Sequence, residues 1–182
     1  MTQTVRASEL LFRVDAESPV DHDVDLVVVG VIAPLADEPL IGSVLKLDAL
    51  LGGAIARMRV GGGSGVTPGE AQLVDGVPGV KARKILLVGL GAAASLRLEA
   101  LEGAGGLAVR HALAIRAGTV GFAPGLRDAG VSTFAIGDVS QAVVRGARAE
   151  FASHNAASRT SLVMALEASP ANASLARMGI ER

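Results

Sequence analysis

The sequence contains two apolar runs in which hydrophobic and polar residues do not alternate. They are DLVVVGVI at Asp25–Ile32 and ILLV at Ile85–Val88. A strand with one solvated face alternates between apolar and polar residues, whereas an uninterrupted apolar run is typical of a strand buried on both faces. A sheet built around such strands needs covering elements on both sides. The two runs therefore predict a layered fold with a buried central sheet.

Segments of strand and helix character alternate along the rest of the chain. Further strands are predicted at Glu9–Val14, Ala71–Val74, Thr119–Ala123 and Ser161–Leu166. Helical spacing of apolar residues occurs within Leu47–Met58, Leu98–Arg116 and Val139–Phe151, and Ala171–Met178 is predicted as a short terminal helix. This order predicts an α/β fold of three layers, with a mixed, largely parallel central sheet flanked by helices. The 182 residues are expected to form one domain, residues 1–182.

The first predicted helix carries two adjacent glycines in its middle. Gly52 and Gly53 lie inside the stripe that runs from Leu47 to Met58, and Asp48 falls in the predicted first turn, where the helix dipole favours an anion. Each glycine costs a helix up to about 1 kcal/mol relative to alanine. Close packing of the backbone at these positions would offset that cost.

Composition excludes several classes of function. The chain has no cysteine, so disulfides, thiolate catalysis and cysteine-based metal sites are ruled out. Its 17 basic and 18 acidic residues are scattered, and it has no Trp and no Tyr, which argues against a nucleic-acid partner. No apolar run approaches the roughly 20 residues of a membrane helix, and the N-terminus does not resemble a signal peptide. A cytoplasmic protein without a membrane partner is expected.

The segment RKILLVGLGAAA, from Arg83 to Ala94, fits the strand-loop-helix fingerprint G-x-G-x-x-A of dinucleotide-binding proteins. In that interpretation, the backbone amides of Leu90, Gly91 and the following residues would meet a pyrophosphate at the start of the next helix. The fingerprint also needs a carboxylate after the following strand, but none occurs there before Asp128. A structural turn is the alternative, because glycine permits tight turns with any function or none.

Other candidate groups favour structural roles. Consecutive residues such as Asp21, His22 and Asp23 point to opposite sides of an extended chain, which disfavours a shared metal ion and favours a solvated turn. His111 and His154 are expected on helix surfaces. Ser64, between glycines, lacks the preceding strand of a nucleophile elbow and is predicted to lie in a loop. Catalytic residues and metal ligands are therefore not assigned.

Basic residues add a modest positive charge near the glycine segments. They are Arg57, Arg59, Lys81, Arg83 and Lys84. Such a charge suits an anionic ligand and suits solvated edges equally well.

Several motifs, taken in order, resemble the N-terminal domain of the cytosolic leucyl aminopeptidases, which has a macro-domain-like α/β fold. The resemblance rests on DLVVVGVI, LDALLGGAIARM with its Leu-Gly-Gly-Ala, SGVTPGEAQLV, KILLVGLG with the helix EGAGGLAVRHALAI, and FAIGDVSQAVVRGARAEF. It extends from about Glu9 to Met178. Full-length members of that family continue into a two-metal catalytic domain with motifs resembling V-G-K-G-x-x-F-D-x-G-G and N-T-D-A-E-G-R-L, and the sequence contains neither.

The resemblance implies a domain that is not catalytic on its own and needs no cofactor. We expect a structural, oligomerisation or regulatory module that self-associates or docks on an aminopeptidase catalytic partner. The alternative implied by the macro-domain-like fold is a binder of ADP-ribose or a related nucleotide. Its cleft would form where three glycine segments converge, namely Gly52-Gly53, Gly89-Leu90-Gly91 and the loop from Gly121 to Gly130. The Asn pair of ADP-ribose hydrolases is missing, since the only Asn residues are Asn155 and Asn172.

Overall fold

The computed structural model describes residues 8–34, 39–60, 66–154 and 160–182. Its strands are β1 (Glu9–Asp15), β2 (Leu26–Ala33), β3 (Ala71–Asp75), β4 (Lys84–Ala92), β5 (Thr119–Ala123) and β6 (Ser161–Glu167). Its α-helices are α1 (Gly42–Leu50), α2 (Ala54–Val60), α3 (Leu98–Ala114), α4 (Ile136–His154) and α5 (Ala173–Glu181). The predicted Ser64 loop and Asn155 lie outside the described residues.

The six strands form one sheet in the order β1-β6-β5-β2-β4-β3. Every neighbouring pair is parallel except β3 and β4, which are antiparallel. The strand β2 lies near the middle of the sheet, and seven of its eight residues are buried, as its lack of alternation predicts. The predicted mixed, largely parallel sheet is therefore confirmed.

Helices cover both faces of the sheet, so the three-layer prediction is also confirmed. Alternate residues of β2 point to opposite sides: Leu26 and Val28 join the core beneath α3 and α4, whereas Val27 and Val29 join the core beneath α1 and α2. The helix α5 packs on α4 and on β1. None of the helices in the described part of the chain has the length and apolarity needed to cross a membrane.

The prediction of a single helix from Leu47 to Met58 is wrong, because the chain forms two helices there. Gly52 and Gly53 have φ angles of 61° and 81°, in the left-handed region that an α-helix cannot contain. The two glycines thus end one helix and allow the next to begin in a new direction. The apolar stripe is kept across the break, since Leu47, Ile55 and Met58 all face the same core.

The terminal helix begins and ends slightly later than the sequence predicts, at Ala173–Glu181 instead of Ala171–Met178. Such differences of two or three residues are usual at helix ends, where the last turns lack a full set of hydrogen bonds.

Candidate functional site

The Gly-Leu-Gly segment is part of a strand and not a loop. The strand β4 continues through Gly89, Leu90 and Gly91 to Ala92, where the sequence predicted a strand ending at Val88. A short 3₁₀ turn follows at Ala93–Ser95, and α3 begins only at Leu98. The strand-loop-helix arrangement of the dinucleotide fingerprint is therefore wrong for this chain.

The two glycines of this segment have a specific structural use, because the chain at residues 66–70 runs directly against them. A Cβ atom on Gly89 would lie 2.5 Å from the carbonyl oxygen of Thr67. The amide of Gly89 donates to the carbonyl of Glu70 at 2.9 Å, and that of Gly91 donates to the carbonyl of Val66 at 2.6 Å. Both amides are thus already hydrogen-bonded within the protein.

The turn at Gly52 and Gly53 is also closed by internal hydrogen bonds. The amide of Gly53 donates to the Asp48 carbonyl at 2.8 Å, and the amide of Gly52 donates to Ala49 at 3.2 Å. The buried Asp48 carboxylate accepts hydrogen bonds from the amides of Ile55, at 2.8 Å, and Ala56, at 3.1 Å. Asp48 therefore stabilises the start of α2, whereas the sequence placed it in the first turn of the first helix.

A large cleft lies elsewhere, at the carboxyl ends of β5 and β6. Its volume is about 640 Å³, and it is bordered by the beginnings of α1 and α4. Ligands of open α/β sheets commonly bind at this edge. Of the three glycine segments predicted to converge, only the loop after β5 lines this cleft, through Pro124–Asp128. Gly52, Gly53, Gly89, Leu90 and Gly91 are not among its lining residues.

Close backbone packing holds that loop in place. A Cβ atom on Gly30, in β2, would overlap the carbonyl oxygen of Pro124, and one on Gly125 would overlap the carbonyl oxygen of Gly30. Gly125 also has a φ of 68°, which favours glycine. These contacts fix the position of the loop after β5, which lines the cleft.

Among the residues that the structure describes, three charged side chains line the cleft. Glu167 ends β6, and Arg127 and Asp128 come from the loop after β5. Asp128 accepts a hydrogen bond from the Ser43 hydroxyl at 3.3 Å, and one of its carboxylate oxygens lies 2.7 Å from where a Gly42 Cβ would stand. The Asp128 carboxylate therefore lies beside the first turn of α1, where the helix dipole favours a negative charge.

Glu167 is the most perturbed acid of the cleft. Burial, helped by the negative charge of Asp128 and opposed by Arg127, raises the pKa of Glu167 to about 7. No hydrogen bond or ion pair to its carboxyl group is found within the described ranges. Sequence reasoning missed this residue, although a lone acid at the end of the apolar strand SLVMALE was a usable signal, since the carboxyl ends of parallel strands share one edge.

His22 corrects the prediction of a solvated turn at residues 21–23. Asp21 and Asp23 are exposed, but His22 is only 3% exposed and packs against Gly121 of β5. Burial lowers the pKa of His22 despite Asp15, whose carboxylate lies 3.7 Å from its Nε2 atom. No group of three or more His, Asp or Glu suited to a metal ion is found among the described residues.

The other two histidines lie on helices. His154 is exposed at the end of α4, where its ring contacts Ser153 and the carbonyl of Glu150. His111 is partly buried in α3, and burial together with Arg110 lowers its pKa.

Most of the basic residues near the glycine segments are engaged by the protein itself. Arg57 donates to the carbonyl of Gly52, and Arg59 donates to the carbonyl of Ile32. Arg83 pairs with Asp25 at 3.0 Å, and Lys84 pairs with Asp75. These pairs agree better with solvated or structural edges than with a prepared anion site.

The sheet order, the helices on both faces and the cleft at the carboxyl edge define a macrodomain-like α/β domain. The macrodomain of Trypanosoma brucei in complex with ADP matches this structure with a TM-score of 0.62 and 15% identity, covering 96% of this chain and 69% of that one. At this identity the likeness concerns the fold.

Residues 28–166 match the family described as cytosol aminopeptidase family, N-terminal domain, and the chain belongs to that family. It is 32% identical over 114 residues to a probable cytosol aminopeptidase of Xanthomonas campestris pv. campestris, covering 63% of this chain and 22% of that protein. The structure of a tomato leucine aminopeptidase mutant matches with a TM-score of 0.67 and 17% identity, covering 96% of this chain and 35% of that one. The chain thus spans about a fifth of the length of the curated relatives it matches.

Proposed function

We propose that this domain is a non-catalytic docking module of the aminopeptidase family, which associates with a second copy of itself or with an aminopeptidase catalytic unit. The observation that carries the proposal is the helix α1, which is apolar on both of its sides. Val44 and Leu47 are buried, while Leu45 is 49% exposed and Ile41, directly before the helix, is 50% exposed.

A helix on the surface of a protein normally has a polar outer side. The exposed residues of α1 instead include Leu45, Ala49 and Leu50 with one lysine, Lys46, and the exposed Ile41 before the helix also lines the cleft. Contiguous exposed apolar residues mark interaction surfaces more often than free surfaces. Family membership supports the same conclusion, because relatives of this domain are parts of much longer chains.

The proposal is tested by substituting Leu45 and measuring association. Burying the exposed half of one leucine contributes about 1 kcal/mol, and a twofold-symmetric interface buries it twice. Leu45→Lys is therefore expected to weaken self-association by about thirtyfold. Light scattering after size exclusion measures this for the chain alone, and surface plasmon resonance measures it against an immobilised catalytic unit of the family.

Leu175 on α5 provides a matched control, because it is 50% exposed and lies in a different helix. Leu175→Lys makes the same chemical change and should leave association unchanged. The proposal is contradicted if the wild-type chain stays monomeric at high concentration and binds no catalytic unit, or if the two variants behave alike.

We infer that these 182 residues do not hydrolyse peptides on their own. A two-metal peptidase needs clustered carboxylates around a water nucleophile, and the family match concerns the N-terminal domain. Leucine p-nitroanilide turnover, with and without added Mn²⁺, provides the measurement. Turnover that survives repurification would overturn the inference.

A nucleotide ligand is the second candidate function. It is favoured by the position of the cleft, at the edge where macrodomain-like sheets and other open α/β sheets bind ligands, and it is opposed by the two carboxyl groups of the cleft. The contribution of Gly52, Gly53, Gly89, Leu90 and Gly91 to such a site stays a prediction. Calorimetry with ADP-ribose tests it, and an absence of heat at about millimolar ligand would refute it.

A further inference from the structure

The walls of the cleft are mainly apolar. Phe122, Phe134, Val139, Val143 and Leu166 form much of its lining, and its volume of about 640 Å³ lies within the usual range for small-molecule sites. Such a cavity favours a ligand with an apolar body. The few polar groups on its walls then decide which functional group the ligand carries.

The charge of these polar groups is predominantly negative. Glu167 and Asp128 face the cleft with one guanidinium, that of Arg127, which is exposed at the rim. Asp128 is held by Ser43, whereas the Glu167 carboxyl has no hydrogen-bond or ion-pair partner in the described part of the chain.

We propose that the cleft binds a protonated primary amine carried on an apolar group, with Glu167 as its counter-ion. The ammonium group would donate to the unpartnered carboxylate, and the apolar group would lie against the aromatic and aliphatic walls. Glu167 is partly buried, and desolvating an ionised carboxylate without a partner is costly, so a cationic ligand would offset a cost that the protein alone does not. The raised pKa of Glu167 means that the protein by itself disfavours the ionised form, and a cation bound beside the carboxyl group would favour that form.

The same charges disfavour a diphosphate. The Asp128 carboxylate already lies at the first turn of α1, where the helix dipole would otherwise attract a phosphate. A diphosphate in the cleft would face two carboxyl groups and one arginine. This proposal goes beyond the docking role of α1 and does not depend on it, since association and ligand binding are measured separately.

The test uses isoamylammonium chloride, an amine on a branched apolar group, with the full 182-residue chain labelled with ¹⁵N. At about pH 8 the amine is protonated and Glu167 is mostly ionised. The amine is expected to bind with a Kd of about a millimolar, as is usual for so small a ligand, and to shift the NMR signals of the backbone amides that line the cleft. Glu167→Gln should weaken binding at least tenfold, and Asp128→Asn should weaken it as well.

Glu181→Gln is the matched control, because it removes the same charge from an exposed position outside the cleft. It should bind the amine as the wild-type chain does. The N-acetyl derivative of isoamylamine, which has no charge, should not bind. Leucinamide and a Leu-Gly-Gly amide show whether the amine can be carried by a single amino acid or by the N-terminus of a peptide, and binding of either one supports the proposal.

The proposal is overturned if the amine shifts no cleft amide, if the acetylated compound binds equally well, or if Glu167→Gln, checked for folding by circular dichroism, binds with unchanged strength. Binding of ADP-ribose at the cleft with no binding of the amine also overturns it, while supporting the nucleotide candidate. Loss of self-association in Leu45→Lys with amine binding retained would leave this proposal standing.

Discussion

Substituting Gly146 with alanine tests how closely α3 and α4 pack. These helices share the largest helix–helix contact of the described structure. Gly105 of α3 faces the backbone of Val143, and Gly146 of α4 faces the carbonyl oxygen of Glu102. A Cβ atom on Gly146 would lie well inside 3.0 Å from that oxygen, a distance that real Cβ atoms essentially never show. Because the obstacle is helix backbone, the helices themselves would have to separate.

Two opposing contributions set the expected magnitude. Overpacking costs about 1–3 kcal/mol, and an obstacle made of backbone places the cost in the upper half of that range, at about 2–3 kcal/mol. Alanine regains up to about 1 kcal/mol over glycine in helix propensity. Gly146→Ala should therefore lower the free energy of unfolding by about 1–2 kcal/mol, which corresponds to about 2–8 °C in Tm for a domain of this size. The ion pairs that flank the crossing, Arg145 with Glu102 and Arg110 with Glu150, would be stretched by the same separation.

Gly103 provides the control, because it lies in α3 with no atom within 4 Å of its hypothetical Cβ. Gly103→Ala should raise stability by up to about 1 kcal/mol, since only helix propensity changes. Urea unfolding followed by circular dichroism measures both variants, with an unchanged m-value showing that only stability differs. The argument fails if Gly146→Ala is as stable as Gly103→Ala.

Three further predictions concern buried or paired acids and a buried histidine. Burial lowers the pKa of His22, so the unfolded chain binds more protons and the free energy of unfolding should fall as the pH drops below 6.5. Chemical unfolding at several pH values should show a weaker pH dependence in His22→Asn, and part of what remains should come from His111, whose pKa burial also lowers. Asp48→Ala should lower the free energy of unfolding, measured in urea, by about 1–3 kcal/mol, because it leaves the first amides of α2 without their buried acceptor. Asp48→Asn keeps an acceptor oxygen and should cost less, and equal losses in the two variants would contradict this capping role. The amide of Gly118, together with Arg83 and Thr119, lowers the pKa of Asp25, so ionised Asp25 should stabilise the fold above pH 3.8 and lose this effect as the pH falls through its folded-state pKa. In Asp25→Asn, the free energy of unfolding should lack this pH-dependent contribution when it is measured at acid pH.

Most of the fold could be predicted from the sequence, because its determinants are local. All six strands lie where apolar runs predict them, and the buried character of β2 and β4 follows from their lack of alternation. The break after α1 was harder to predict. The apolar stripe from Leu47 to Met58 continues across Gly52 and Gly53, so periodicity alone does not show that the backbone turns there.

The candidate site depended much more on contacts between distant segments. Gly89 and Gly91 look like a phosphate loop in the sequence, yet their amides are taken by the carbonyls of Glu70 and Val66, which no local pattern predicts. In the sequence Glu167 stands out only as a lone acid at the end of an apolar strand, and its environment arises because β6 ends beside the loop that carries Arg127 and Asp128.

The sequence by itself determined the order of strands and helices and the burial of the central sheet, because these follow from residue type and spacing along the chain, and its motifs resembled those of the family to which the chain belongs. Only the tertiary structure decided which glycines approach other backbone segments, which amides and charges are already paired, and where a cleft remains open. The physical reason is that hydrogen bonds, desolvation and excluded volume depend on distances between atoms, and those distances join residues far apart in the chain.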